Sequence, residues 1–590
     1  MVASCWFIAL LRRSIVLTIL LLISPSVYSA ELNKSADKSS TVVNSRFIAQ
    51  IPPRPEEPPS LEPLPEPQLP PPPDTILDIP TPPPIAPTED IPETIVVERF
   101  EFLGNTVFSD EELATATTEY INRPITIDEL YEARSIVNQR YLEAGYATSG
   151  AFIPPQRLQE GVVVVQVIEG TLEAIDIRGL DRVNDGYVRS RIELAATTPL
   201  NVDRLLQGLR LLQLDPLIEN LSAELAAGPR LGTSLLTVNV IEADTDDVFV
   251  QVDNNRSPSV GSDRVQLELR ELNVAGSGEA IDFTYEHTEG SDALEGSARF
   301  FLNPRNGTLA FSTGVARGEI IEEPFDELNI NANSNYLELT YRQPIVRTPT
   351  QEFALGITAS RQEVQSRISL PEIAGGDIPL TLGGANEDGF SRVTAVRFFQ
   401  EWTQQSDRQV FAVRSQFSLG LDALGSTVNN DGRPDSRFLA WRGQTQFVRL
   451  LAPDTLLLLR SDLQVADDSL MSLEQYGLGG QQTIRGYRQD VLLTDSALLA
   501  SAEVRLPILR VRELEGVLQV APFIDFGTAW NVDLEDPDPQ TLVGIGAGLV
   551  WRQERLTARL DIGIPLVEVE ARERTWQENG VYFSIVFNPF

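Results

Sequence analysis

From Asp246 to Phe590, apolar and polar residues alternate in segments of about ten residues, the side-chain period of a β-strand. Val265, Leu267 and Leu269 point one way while Gln266, Glu268 and Arg270 point the other. Ile281, Phe283 and Tyr285 alternate in the same way with Asp282, Thr284 and Glu286, as do Leu337, Leu339 and Tyr341 with Glu338, Thr340 and Arg342. The pattern returns at Phe411–Phe417, Leu498–Val504 and Val543–Leu549, with Gly, Asn, Asp and Pro between segments. About sixteen such segments are present, a number that closes a barrel and leaves an aqueous lumen. A soluble β-sandwich alternates too, but here charge recurs strand after strand on the second face, and the last strand is rich in aromatics. The expected fold of 246–590 is therefore a transmembrane antiparallel β-barrel, with lipid on the apolar face and a wet lumen on the charged one.

Upstream the period lengthens to that of helices between short strands. Ser109 with Glu112 and Thr126 with Glu129 have capping-box spacing and mark two helix starts. In the second helix Leu130, Ala133, Val137 and Tyr141 share one face, and Gly145 ends it. Val162–Ile168, after the Glu160-Gly161 turn, reads as a buried strand. The order strand, helix, helix, strand, strand recurs after about 75 positions, so that Gly104, Pro124, Asp128 and Leu130 match Gly179, Pro199, Asp203 and Leu205. Val165–Glu169 and Val238–Glu242 close the two units on nearly the same strand. Two small α+β domains are expected, at 95–171 and 172–245.

The N-terminal residues carry a different signal. Arg12-Arg13, the apolar run Ile15–Ile23 and the small residues Ser26, Ser29 and Ala30 have the layout of a cleaved secretory signal over 1–30. Residues 31–94 are read as a disordered linker, and the proline-dominated part from Pro52 to Pro92 as an extended spacer without apolar periodicity. Composition then narrows the chemistry. The chain of 590 residues has 47 Lys+Arg against 84 Asp+Glu, a net charge of -37 that repels polyanions and argues against a nucleic-acid partner. The only cysteine, Cys5, lies within the signal, and the only histidine is His287. Thiol catalysis, disulfides and His-pair metal sites are thereby excluded from a mature chain, no cofactor is implied, and enzymatic hydrolysis is disfavoured.

Two local motifs remain. The inter-strand stretch 465–495 is long for a loop without a function, and it contains Gly477-Leu478-Gly479-Gly480 followed by Ile484-Arg485-Gly486-Tyr487. Its glycines lack the strand-to-helix context and the lysine of a phosphate cradle. On local chemistry alone, Arg485 reads equally as a solvated side chain. In Phe523-Ile524-Asp525-Phe526-Gly527, Asp525 faces away from Ile524 and Phe526; a carboxylate there needs a partner, which an arginine from an inserted loop would supply. Gly544, Gly546 and Gly548 have period two and leave space for a close approach.

These residues resemble the TpsB transporters of two-partner secretion, the ShlB/FhaC/HecB type within the BamA/TpsB outer-membrane superfamily. Ile484-Arg485-Gly486-Tyr487 resembles the Val-Arg-Gly-Phe/Tyr loop motif of that superfamily, and Phe523, Asp525 and Gly527 its Phe-x-Asp-x-Gly strand motif. The two repeats resemble tandem polypeptide-transport-associated (POTRA) domains. Gly580, Phe583 and Ile585, with the terminal Phe590, resemble the β-signal read by barrel-assembly machinery. The resemblance implies a sixteen-stranded outer-membrane barrel with two periplasmic POTRA domains, exporting one large TpsA-like exoprotein, and no catalytic site. It implies that Arg485, on a loop folded into the lumen, pairs with Asp525 on the wall. It further implies barrel-assembly machinery as a partner in biogenesis and outer-membrane lipid around the barrel. Many relatives begin with a pore-plugging helix, whereas 31–50 has only a weak apolar pattern around Val42, Val43, Phe47 and Ile48. The competing readings are a barrel-assembly factor, a passive porin with periplasmic appendages, and a soluble enzyme or binding module.

Overall fold

A computed structural model describes residues 77–78, 94–370, 376–569 and 575–589. The expected signal, the weak plug segment 31–50, most of the linker and Phe590 lie outside the described residues.

The first α+β domain is built on a three-stranded sheet in which Val162–Ile168 pairs in parallel with Arg99–Leu103 and antiparallel with Gly150–Phe152. Both helices start with complete capping boxes, Ser109 with Glu112 for Asp110–Ala116 and Thr126 with Glu129 for Ile127–Glu143. The longer helix turns Leu130, Ala133, Val137 and Tyr141 into the core. Val162–Ile168 differs from the sequence reading, because only alternate residues, Val163, Val165 and Val167, are buried. Helices cover a single face of this sheet, so a run of valines sits half in and half out.

The second domain repeats the plan. Thr233–Glu242 pairs in parallel with Thr171–Arg178 and antiparallel with Ile218–Ala227, beneath helices Asp185–Ala195 and Val202–Gln213. The internal repeat is also a repeat of contacts. Gly104 and Gly179 both adopt positive φ, +88° and +90°. Each presses against a carbonyl of its domain's last strand, Val167 or Val240, where a β-carbon would collide. Two residues beyond each carbonyl stands a glutamate that holds the same turn. Glu169 accepts from the backbone amides of Thr106 and Val107 at 2.6 and 2.8 Å, from the Thr106 hydroxyl and from the Tyr141 hydroxyl. Glu242 accepts from the amides of Asp181, Arg182 and Val183 at 2.7 to 2.9 Å. Burial pushes both carboxyls up, but the hydrogen bonds outweigh it and hold both below the ordinary carboxylate range.

One piece of the linker is ordered on this sheet. Leu77 and Asp78 pair in parallel with Ala223 and Glu224 on the outer edge of Ile218–Ala227. The spacer reading gave this stretch no strand; residues 74–79 form a proline-free window with backbone donors, and a sheet edge offers them partners.

Sixteen antiparallel strands, from Asp246–Asp253 to Val581–Phe587, close into a barrel. A short additional strand, Gly376–Pro379, lies against the far end of Gln351–Leu370. Closure brings the first strand against the last through Val250–Asp253 and Ser584–Phe587. Outward positions such as Ile281, Phe283, Leu337, Leu339, Phe398 and Phe417 are exposed apolar side chains, the surface a lipid bilayer solvates. The second α+β domain grips the near end of the barrel. Asn184 Nδ2 donates to Ala275 O at 3.2 Å, Arg182 Nη2 to Glu271 Oε1 at 2.5 Å, and Arg191 Nε to Asn306 Oδ1 at 3.1 Å. Arg191 also lies 3.5 Å from the Tyr187 ring centroid and 5.3 Å from that of Phe301.

Candidate functional site

The stretch after wall strand Thr455–Ala466 returns to the wall at Ser496. Val465, read as the start of the loop, still belongs to the strand, since its alternation continues to Ala466. The loop has secondary structure of its own, a short antiparallel pair of Tyr476–Leu478 with Leu492–Thr494. Its apolar side chains Tyr476, Leu478, Ile484, Tyr487 and Leu492 pack with the wall residues Ala497, Leu499, Ala529 and Leu542 in one buried cluster. Burial of this face supplies affinity, while polar contacts fix the register.

Arg485 occupies the tip. Its Nε donates to Asp525 Oδ2 at 2.7 Å and its Nη2 to Asp525 Oδ1 at 2.8 Å, a bidentate pair, and its backbone amide reaches Oδ2 at 3.1 Å. Its guanidinium lies 3.4 Å from the centroid of Phe523. Arg485 is 3% exposed and Asp525 0%. Ser501 Oγ donates to Asp525 Oδ1 at 2.6 Å, so the carboxylate is enclosed by donors. Strand alternation explains the placement: Phe523 and Asp525 point inward, while Ile524 and Phe526 point out.

The neighbouring motif residues complete the seat. A β-carbon on Gly527 would overlap the Ile484 side chain. Gly486, at φ +108°, donates its amide to the Tyr582 hydroxyl at 2.8 Å, and that hydroxyl donates to Tyr487 O at 2.6 Å. Tyr487 places its own hydroxyl 2.9 Å from Val543 O and 3.0 Å from Val567 O. The expected glycine groove lies differently from the stripe along one strand. The Arg485-Gly486 backbone crosses Gly544 and Gly563 on adjacent strands and passes Gly580 in the turn just ahead of the last strand, whereas Gly546 and Gly548 face Phe523 and Asp561. A segment crossing a sheet meets one residue per strand, so its groove runs across the strands. In the last strand Phe583 is half-buried, edge-on to Trp576 at 5.9 Å, and Ile585 points outward.

Several members of the site had no motif to mark them. Arg485 Nη1 donates to Glu503 Oε2 at 2.6 Å, and Arg559 Nη2 reaches the same oxygen at 2.6 Å. Arg559 Nε then donates to Asp561 Oδ2 at 2.6 Å, where Gln481 of the loop also donates at 2.9 Å. Arg505 Nε donates to Glu503 Oε1 at 2.8 Å. Three arginines thus alternate with three carboxylates, the arrangement that makes a buried charge cluster tolerable. The sequence signal for these residues was their inward position on alternating strands. A second tie holds the loop's first leg, where Arg397 Nη2 donates to Glu474 Oε1 at 2.6 Å.

Residues 95–170 match the model of the POTRA domain, ShlB-type, and residues 232–551 match that of the haemolysin secretion/activation protein ShlB/FhaC/HecB. The chain is 22% identical over 489 residues to the outer membrane transporter CdiB of Escherichia coli O6:K15:H31 (strain 536 / UPEC), covering 80% of this chain and 79% of CdiB. It is 20% identical over 435 residues to the heme/hemopexin transporter protein HuxB of Haemophilus influenzae (strain 86-028NP), covering 71% and 72%. Among solved structures, CdiB from Escherichia coli shares the fold with a TM-score of 0.65 at 19% identity, over 86% of this chain and 92% of that one.

Proposed function

Because the chain belongs to the haemolysin secretion/activation family ShlB/FhaC/HecB, an outer-membrane transporter of two-partner secretion with periplasmic POTRA domains and a secreted exoprotein partner, we propose that it exports one large exoprotein through the barrel lumen as an extended chain. The observation that carries this reading is the lumen loop seated by Arg485 on Asp525. A polar, charge-lined interior closed by a loop on a discrete ion-paired seat is an obstruction that can be withdrawn, which a permanently open porin does not need. The periplasm supplies no ATP, so direction comes from folding of the cargo outside. The POTRA sheets take the incoming segment by strand addition, main-chain hydrogen bonds giving affinity without a strict sequence. The C-terminal sequence motif of Gly580, Phe583, Ile585 and Phe590 is the part presented to barrel-assembly machinery, and the outward apolar band is the lipid contact.

The test compares proteins in the medium and in the outer membrane of cells with and without this gene. Loss of one large exoprotein with an unchanged outer-membrane profile is expected. A general fall in barrel proteins, or no change in either fraction, would overturn the reading.

A further inference from the structure

Strand addition needs a sheet edge, and the edges of the two periplasmic sheets are unequal. Arg99–Leu103 and Gly150–Phe152 flank the first sheet with 5 and 3 residues. Thr171–Arg178 and Ile218–Ala227 flank the strands of the second domain with 8 and 10. Ile218–Ala227 is the longest of the four and contains no proline, and its domain is the one that runs on into the first barrel strand at Asp246.

That edge is already taken, by this chain. Leu77 and Asp78 pair in parallel with Ala223 and Glu224, in the middle of the ten residues. Asp74–Ile79 is the longest proline-free run between Pro52 and Pro92, so it is where successive backbone amides are available, and Thr75, Ile76 and Ile79 are β-branched. The 16 residues 79–94 tether the strand to Ile95 of the first domain, which gives it an effective concentration on the order of millimolar at the edge. The register also makes the hold weak. Asp78 stands beside Glu224, and like charges in register on neighbouring strands are destabilising. Pro73 and Pro80 limit the strand to six residues, whereas a strand running the whole edge makes more main-chain bonds.

We propose that Leu77–Asp78 is an internal competitor for the exported chain: it holds the outer edge of Ile218–Ala227, and an extended segment of the exoprotein pairs there only by displacing it. The proposal rests on the export reading and deepens its capture step, assigning the edge that binds and the segment that guards it. Main-chain recognition has little sequence preference, so a bare edge pairs with any extended segment. A weak tethered strand turns short fragments away and yields to a long one.

Two introduced cysteines test this in a chain whose only native cysteine is Cys5, within the expected signal. Asp78→Cys/Glu224→Cys places them at register partners, and neighbouring strands lie about 4.7–4.9 Å apart, within the range a disulfide spans. The full-length variant is expected to oxidise within one chain, seen as a shift in non-reducing gels. Its cells should then release several-fold less exoprotein than the same cells given dithiothreitol, with wild-type cells in both conditions as the baseline. A variant that does not oxidise, or a locked one that exports as well as the reduced one, overturns the proposal. Leu77→Pro/Asp78→Pro removes both amides of the strand. In the purified full-length protein its amide protection over 222–225 is expected to fall, while export from its cells does not. Unchanged protection shows that the strand does not cover the edge, and lost export shows that it assists capture; either overturns the competitor. Oxidation and protection are read without cargo, so a failure of the export reading shows in the gene-deletion comparison and leaves them unaffected.

Discussion

Gly544 lies directly beneath the carbonyl of Arg485, so close that a β-carbon on the glycine would overlap that oxygen. The seat of the loop arginine is therefore cut to fit its backbone as well as its charge. Gly544→Ala is expected to lift the Arg485-Gly486 segment and break the bidentate contact with Asp525 while leaving every charged group present. Export should fall as it does in Asp525→Ala, with the barrel still heat-modifiable. Normal export from Gly544→Ala would show that the seat tolerates a lifted backbone.

Arg485→Ala takes the bidentate partner from Asp525, and Asp525→Ala leaves Arg485 with Glu503 in place of two carboxylates; each is a loss of up to roughly 3–5 kcal/mol. The double variant removes both charges and is expected to be less destabilised than the sum of the singles. Arg485→Lys should not restore export, because an ammonium cannot make the two parallel hydrogen bonds to Asp525. Urea midpoints of the folded barrel, alongside exoprotein in the medium, check all three.

Glu503 binds Arg485 and Arg559 together. Glu503→Gln keeps the shape but leaves the two guanidiniums with one carboxylate fewer between them, so it should impair export even though the Arg485–Asp525 pair is untouched. If Glu503→Gln secretes like wild type at equal abundance, the cluster beyond Asp525 has no part in holding the loop.

In the periplasmic domains the glutamate clamps give a pH dependence. Glu169 and Glu242 have carboxyls held below their ordinary range, so their stabilisation is complete above the unfolded value of about 4.3 and is lost as pH falls through the lower folded value. Amide protection at 104–107 and 181–183, taken relative to the intrinsic exchange rate at each pH, should be high at pH 6 and fall below pH of about 4. Glu169→Gln loses the charge-assisted bonds, worth about 1.5–3 kcal/mol each. Its turn should exchange fast at every pH while the turn held by Glu242 stays protected.

Arg191 lies over Tyr187 and within reach of Phe301 and Asn306, joining the second α+β domain to the barrel. Arg191→Ala should free that domain without unfolding either part. Spin labels on the two parts would report a broadened distance distribution, and an unchanged one would place the rigidity of this junction elsewhere.

Much of this protein is written in one dimension. Strand alternation is local, because successive side chains point to opposite faces, so Asp525 inward and Ile524 outward follow from the sequence. Capping boxes at Ser109 and Thr126 are local for the same reason, each reaching only three residues. The repeat placed Gly104 with Gly179 and Glu169 with Glu242 before any contact was visible. What alternation cannot supply is the partner across the lumen. That depends on the stagger and closure of the barrel, which bring Glu503, Arg559 and Asp561 from separate parts of the chain around one loop arginine. Tyr582 and the groove across Gly544, Gly563 and Gly580 belong to the same class: they come from separate neighbouring segments, and only the closed sheet makes a surface of them. The inward or outward sense of each residue was fixed by the backbone's own period, and the pairing of inward charges by tertiary geometry, because desolvated ions are stable only where the fold delivers their counter-ions.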